Sequence, residues 1–277
     1  MPELDQLRDF TDAVADACRA QRIPADTAVA EYAPGQFEIN LSHRADALAA
    51  CDDAVLLKRV IKSVASQQGR LASFMAKPFA EQAGSGQHLH VSILDSEGRN
   101  LFAGSPQAPA PALLHALAGL QRHADDSLLV FAPHANSYRR FVANAFVPLN
   151  RSWGFNNRTV ALRIPHSNPA NTRIEHRIAG ADANPYLVAA AVLSGILDGL
   201  EHPADPGPAT VGNAYEQHPL QSPDWYQATQ AFANSPFIAE YLGERFRHVY
   251  AQQKQRERLD FQALVSNLDY AWYLRTV

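Results

Sequence analysis

An α+β fold is predicted by three features of the chain. Segments with period-two alternation at 28–42 and 88–94 read as strands. Segments with helical apolar spacing, at 4–20, 46–68 and 184–200, read as helices. The two kinds are interleaved without a strict β-α repeat, which favours an α+β arrangement over a doubly wound parallel sheet. The chain has 277 residues, 47% of them hydrophobic. That is enough for one large core, and residues 1–277 are read as a single domain. Within it, 1–202 carry the sheet and main helices, and 203–277 a linker and C-terminal helices.

In order along the chain, Leu7, Phe10, Val14 and Cys18 recur at helical spacing, and Pro24 ends that helix. "AVAEYAPGQFEINLS" alternates around Pro34-Gly35 and predicts two strands joined by a tight connection. Leu48, Cys51, Val55, Leu56, Val60 and Val64 predict an apolar helical face. "LASFMA" reads as a short strand, followed by the Gly84-Ser85-Gly86 loop, the strand "HLHVSIL" and a turn at "DSEGRN". Residues 110–124 are read as helical. "TVALRIP" and "RIEHRI" are strand-like, and Asn184-Pro185 opens a long apolar helix with proline well placed in its first turn. "HPADPGPATVG" is the clear linker, and 223–277 read as helical.

Composition excludes several function classes. The net charge is −4, so no global basic field points to nucleic acid. No run of about 18 apolar residues reads as a membrane span, and "MPELDQLRDF" is acidic, unlike a signal peptide. Cys18 and Cys51 form neither a metal motif nor a disulfide framework. The expectation is a cytoplasmic protein that contacts neither nucleic acid nor membrane.

Three groups of residues carry chemistry. Glu31 and Glu38 flank "YAPGQF", and strand pairing across that turn brings two carboxylates onto one face. Side by side they are costly unless a cation lies between them or one takes a proton; a solvated hairpin edge is the plainer alternative. His88 and His90 in "GSGQHLHVSI" share a strand face, although two histidines alone do not make a metal site. The segment "NNRTVALRIPHSNPANTRIEHRI" holds Arg158, Arg163, Arg173 and Arg177 around Glu175. A salt-bridge ladder accounts for one pair, but four arginines and one acid leave positive charge for a phosphate or carboxylate ligand. Carboxylates and histidines opposite arginines form an apparatus for phosphoryl transfer, yet neither a P-loop nor a kinase signature is present.

Read together and in order, "EYAPGQFEI", "FMAKPF…GSGQHLHVSI", "NSYRRF…NNRTVALRIP" and "RIEHRIAGADANPYLVAAAVLSGILDGLE" resemble the catalytic domain of the glutamine synthetase family, and the resemblance runs on to "VSNLDYAWYLRTV". It implies an antiparallel half-barrel flanked by helices. It also implies ligase chemistry using ATP and Mg²⁺ or Mn²⁺, in which the glutamate side chain is phosphorylated and an amine then captures the acyl group. By matching motifs, Glu31 and Glu38 would bind one metal, and His88 and Glu175 the other. His90, Ser92, Arg163 and Arg173 would hold the nucleotide and its phosphates. Gly84, Arg140 and Arg177 would hold glutamate, and Arg158 and Arg163 would serve the transferring phosphoryl group. The family also implies a homo-oligomeric ring.

Two departures from the family pattern matter. Phe146 stands where ammonia-fixing members carry a glutamate that binds ammonium. A phenyl ring cannot hold a cation by full charge or accept a proton, but it can wall the carbon chain of a larger amine. The wording "SYRRF…SWGFNNRTVALR" is similar to the branch acting on polyamines or monoamines, with ammonia-using glutamine synthetase as the alternative. Ala83, too, replaces an asparagine common before the glycine loop. Second, the family begins with a small β-grasp domain and a Glu-x-Glu metal strand, and no Glu-x-Glu precedes Glu31. The expectation is an N-terminally truncated catalytic domain, with a mis-called start codon as one origin. A truncated, non-catalytic relative that binds nucleotide or a full-length partner is the reading from another class. A metal-binding β-domain without ligase chemistry is a third, disfavoured by the arginines.

Overall fold

The structure is a computed structural model that describes residues 7–219 and 223–277. The first three residues of the helix expected at 4–20 lie outside the described residues, as does the chain start at Met1-Pro2. The helix runs from Arg8 to Ala20 (α1) and buries Val14 and Cys18. Strands β1 (Ala25–Ala30) and β2 (Phe37–Leu41) form the expected hairpin. Its tip depends on Gly35, whose φ of +71° is a left-handed conformation that glycine adopts without a Cβ clash. Helix α2 (Ala47–Gln67) starts where the Asp46 carboxylate caps the amides of Leu48 and Ala49. It buries Cys51, Leu57, Val60 and Val64, whereas Leu48 and Val55 of the expected apolar face are exposed. Part of this face packs on α1 and the hairpin in a small core built from Val14, Cys18, Ile23, Leu57, Val60 and Val64.

A second sheet has the order β3-β6-β5-β4, from Leu89–Val91 (β3), Trp153–Phe155 (β4), Leu162–Ile164 (β5) and Ile174–His176 (β6). Its pairings are antiparallel except that β4 runs parallel to β5. Each strand is only three residues long. Alternation nevertheless sorts the side chains cleanly. Leu162, Ile164, Ile174 and His176 point into the main core and are buried. The residues between them in sequence, Arg163 and Glu175, point to the opposite face together with His90. "LASFMA" is not a strand: it runs without regular structure, and Leu71 at its start is almost fully exposed.

Behind the sheet, α3 (Pro111–Arg122) packs on α4 (Pro185–Glu201). Asn184 caps α4 through the amides of Tyr186 and Leu187, and Pro185 sits in its first turn. The two helices approach closely because glycines face each other: a Cβ on Gly119 would lie 2.1 Å from the Gly195 carbonyl oxygen. Lys58 of α2 fastens the small core to the main one by donating to the carbonyls of Ala181 (2.7 Å) and Ala183 (3.3 Å) and to the Gln87 side chain. The linker lies along β4, with the Thr210 amide on the Trp153 carbonyl at 2.8 Å. Helices α5 (Trp225–Asn234), α6 (Glu244–Gln262) and α7 (Asn267–Tyr273) complete the chain. Among the described residues no helix is long and apolar enough to cross a membrane.

Candidate active site

The polar face of the second sheet gathers most of the residues expected to act. Across β3, β6 and β5, His90 stands opposite Glu175 and Glu175 opposite Arg163, forming one row. Glu175 is nearly fully buried and accepts from Arg163 Nη1 at 2.6 Å and from Arg177 Nη1 at 2.5 Å. His88 Nδ1 lies 3.3 Å from its Oε1. Burial pushes the Glu175 carboxyl up, but the Arg177 charge and the Arg163 hydrogen bond outweigh it and hold it at about 2. The carboxylate is therefore charged at neutral pH.

His88 is the opposite case. Burial and the Arg177 guanidinium push its imidazole down to about 3, so it is neutral and keeps a lone pair, the form that ligates metals. His90 is lowered in the same direction, first by burial. Its Nδ1 accepts from Arg173 Nε at 3.1 Å, so in the neutral ring the proton sits on Nε2. That leaves Nε2 a hydrogen-bond donor suited to an anion's oxygen. Ser92, the next residue of the same parity, is half-buried just beyond β3.

Arg173 and Arg177 do not flank Glu175 as a simple pair. Arg177 reaches it, Arg173 turns to His90 instead, and the second guanidinium comes from Arg163 on the neighbouring strand. Period-two spacing within one strand could not reveal this, because the partner is set by cross-strand register. Arg177 Nη2 also donates to the carbonyls of Phe146 (3.2 Å) and Arg158 (3.1 Å). Arg158 is exposed and near enough to Glu38 to pull that carboxyl down.

In the hairpin, Val29 pairs with Glu38, and the Glu31 amide donates to the Gln36 carbonyl at 2.8 Å. Glu31 and Glu38 are thus diagonal neighbours on one hairpin face. The Glu38 carboxyl is raised by burial, then by the charges of Glu31 and Glu175. A carboxylate raised by two neighbouring acids is the environment that a divalent cation relieves. By donor type, the carboxylates of Glu31 and Glu38 and the pair of neutral His88 with Glu175 are of the kinds that divalent ions accept. Among the described residues no three His, Cys, Asp or Glu side chains close up as a metal-ligand cluster.

Gly84 and Arg140 are adjacent but differently disposed. Arg140 is buried, with Nη1 on the Ile178 carbonyl (2.7 Å) and Nη2 on the Arg177 carbonyl (3.3 Å), and burial lowers its guanidinium to about 10. It wedges beneath the glycine loop: a Cβ on Gly84 would meet Arg140 Cγ at 2.9 Å, and one on Gly86 would meet Nη2 at 2.8 Å. Phe146 is 54% exposed and holds a left-handed φ of +54°, rare for an aromatic residue.

Two functional supports were absent from the sequence reading. Gln36 donates to the Gly84 carbonyl (3.0 Å) and the Ser85 hydroxyl (3.2 Å), tying the hairpin to the glycine loop. Asn156 accepts from Arg163 Nη2 at 2.7 Å. Only their neighbours hinted at them, through the turn in "YAPGQF" and the paired asparagines before Arg158.

A family model described as glutamine synthetase, catalytic domain, matches residues 1–273. The chain belongs to the glutamine synthetase family. It is 45% identical over 276 residues to gamma-glutamylputrescine synthetase PuuA of Escherichia coli (strain K12), covering 98% of this chain and 58% of that protein. To glutamate–isopropylamine ligase of a Pseudomonas species it is 39% identical over 250 residues, covering 88% of this chain and 54% of the relative. The chain therefore spans about half the length of the curated relatives it matches. In fold it is similar to the ADP complex of GmaS, with a TM-score of 0.87 at 32% identity, over 98% of this chain and 64% of the other. Glutamine synthetases use ATP and divalent metal ions, act on glutamate with an amine or ammonia, and are oligomeric.

Proposed function

We propose that this chain is the catalytic region of a ligase that joins the γ-carboxylate of glutamate to a primary amine at the expense of ATP. The observation that carries the proposal is the tie between Phe146 and the Glu175 carboxylate through a single guanidinium, that of Arg177. It ties the main chain of the residue that carries the exposed phenyl ring to the charged row suited to phosphoryl transfer.

In this reading a γ-carboxylate oxygen of glutamate attacks the terminal phosphorus of ATP, and ADP leaves. The amine nitrogen then attacks the acyl carbon, phosphate departs, and the nitrogen loses a proton. Bound divalent ions, Mg²⁺ or Mn²⁺, would neutralise phosphate charge, held by Glu31 with Glu38 and by His88 with Glu175. His90 Nε2 and Ser92 hold nucleotide oxygens, with Arg173 fixing the His90 ring. Arg158 and Arg163 meet the negative charge that develops on the transferring phosphoryl group. Gly84 and Arg177 bound the glutamate site, and Arg140 shapes it from below. Phe146 lines the amine site with apolar surface, favouring a monoamine or polyamine over ammonium. The names of two relatives, a glutamylputrescine synthetase and a glutamate–isopropylamine ligase, support that choice. We infer a cytoplasmic homo-oligomer acting in amine nitrogen metabolism.

The test is mass-spectrometric detection of γ-glutamyl amides after incubation with ATP, glutamate and a panel of putrescine, isopropylamine and ammonium. The proposal expects amide product from an amine at several times the rate with ammonium. Equal or faster use of ammonium would return the chain to the ammonia-fixing class. Phosphate release without any amide would end the ligase reading.

A further inference from the structure

The turn between β4 and β5 holds Asn156, a contact of Arg163 to which the proposed reaction gives no role. Asn156 directly follows β4 and has a φ of +48°, a left-handed conformation that asparagine, aspartate and glycine tolerate best. Its amide donates to the Ile164 carbonyl at 2.8 Å, so the backbone is locked to the end of β5. The next residue, Asn157, bolts the turn to the linker through the carbonyls of Thr210 (3.2 Å) and Gly212 (2.8 Å). On this fixed base the Asn156 side chain reaches Arg163, accepting from Nη2 at 2.7 Å, while Arg163 Nη1 donates to Glu175 at 2.6 Å.

One hydrogen bond to Glu175 would leave the guanidinium free to swivel about that contact. A second, on the other amino group, fixes its plane. Each amino group then keeps its second hydrogen for an incoming oxyanion. Arg163 Nε is buried and has no partner among the described residues, so the head is gripped at its two tips alone. Glu175 is also shared with Arg177, so its hold on Arg163 is divided.

We propose that Asn156 is a positioning residue that presents Arg163 to the phosphoryl group, holding the guanidinium plane against the competing pull of Glu175. The proposal rests on the ligase reading for what Arg163 meets, but not for how Arg163 is held. The left-handed backbone is part of the device, because it aims a short side chain across the parallel β4-β5 pair.

The test uses the full chain in three forms: wild type, Asn156→Gly and Asn156→Asp. Glycine accepts the positive φ and removes only the side-chain amide. Aspartate keeps the acceptor and adds a charge. Crystal structures report the Arg163 rotamer, calorimetry with Mg-ADP reports nucleotide affinity, and turnover with ATP, glutamate and putrescine reports kcat and KM. In Asn156→Gly the melting midpoint is expected to hold while Arg163 leaves its plane. Its ADP affinity and kcat are each expected to drop about tenfold, with the glutamate KM little changed. In Asn156→Asp, Arg163 stays in place and only the nucleotide affinity drops, because the added carboxylate repels phosphate. An Arg163 that keeps its wild-type rotamer in Asn156→Gly, or loses it in Asn156→Asp, overturns the proposal. If no form turns over but Arg163 moves only in the glycine variant, the ligase reading fails and the positioning of Arg163 stands.

Discussion

Two buried carboxylates in this molecule are dressed in the same chemistry and differ in what surrounds them. Glu175 is met by Arg163, Arg177 and His88. Asp198, at the far end of α4, is met by Arg122 at 2.6 Å, His123 at 2.9 Å and His202 at 3.2 Å. Around Asp198 the nearest donors are engaged within the cluster, and Arg122 and His202 turn the rest to solvent. His123 gives its other nitrogen to Asp126, its ring stacks on Phe237 with centroids 3.7 Å apart, and Arg122 turns its second amino group to the His202 carbonyl. Around Glu175 donors are left over. The Nε atoms of Arg163 and Arg177 are buried without a partner among the described residues, and Arg158 and Arg173 add further charge nearby. A carboxylate whose partners are satisfied holds helices together. One whose partners retain spare donors is a candidate for anion binding.

The comparison can be broken by removing each carboxylate in turn. Glu175→Ala leaves two nearly buried guanidiniums without their counter-charge, and a loss of about 3–5 kcal/mol of stability is expected by urea denaturation. Asp198→Ala should cost less, about 1–2 kcal/mol, because Arg122 and His202 are partly exposed and recover water. Equal losses would mean that the two clusters are alike. Gln36→Ala comes next, at about 1 kcal/mol. Its sharper sign is faster amide exchange at Glu31 and Gln36, since the hairpin tip loses its tie to the glycine loop. Unaltered exchange there would remove Gln36 from the account.

The smallest effect concerns pH. Burial raises the Asp198 carboxyl, but the His123 hydrogen bond and the charges of His123 and Arg122 outweigh this and bring it below its ordinary 3.8. A carboxyl lowered on folding binds fewer protons in the native state than in the unfolded one. Its stabilisation is complete above the unfolded value and disappears as pH falls through the folded value. Asp198→Asn should therefore flatten the decline in stability as pH falls through and below the ordinary carboxylate range. A decline as steep as that of the wild type would assign the acid limb to other groups.

The sequence made some of this legible and not the rest, for identifiable reasons. Helices α2 and α4 announce themselves because their caps are local: Asp46 and Asn184 act on amides two and three residues ahead. The hairpin is equally local, fixed by Gly35. "LASFMA" fails because β-propensity is realised only beside a partner strand, and among the described residues none reaches it. At the site, period two correctly puts His88 and His90 on the face of Glu175. It cannot choose among arginines on different strands, so the partnership of Arg163 with Glu175 and of Arg173 with His90 emerges only from register. Arg140 illustrates a further limit. The motif shows an arginine there, but not its burial or its hydrogen bonds to the Ile178 and Arg177 carbonyls beneath Gly84 and Gly86, which only the packing sets.

The central claim is that spare donors around Glu175, and not those around Asp198, make the phosphate site. The most direct measurement is calorimetric titration of Mg-ADP into the wild-type chain, Arg163→Ala and Arg122→Ala, each first checked for cooperative unfolding. The account predicts that Arg163→Ala weakens binding by about tenfold or more while Arg122→Ala binds as the wild type does. Equal weakening in both, or full affinity in Arg163→Ala, would contradict it.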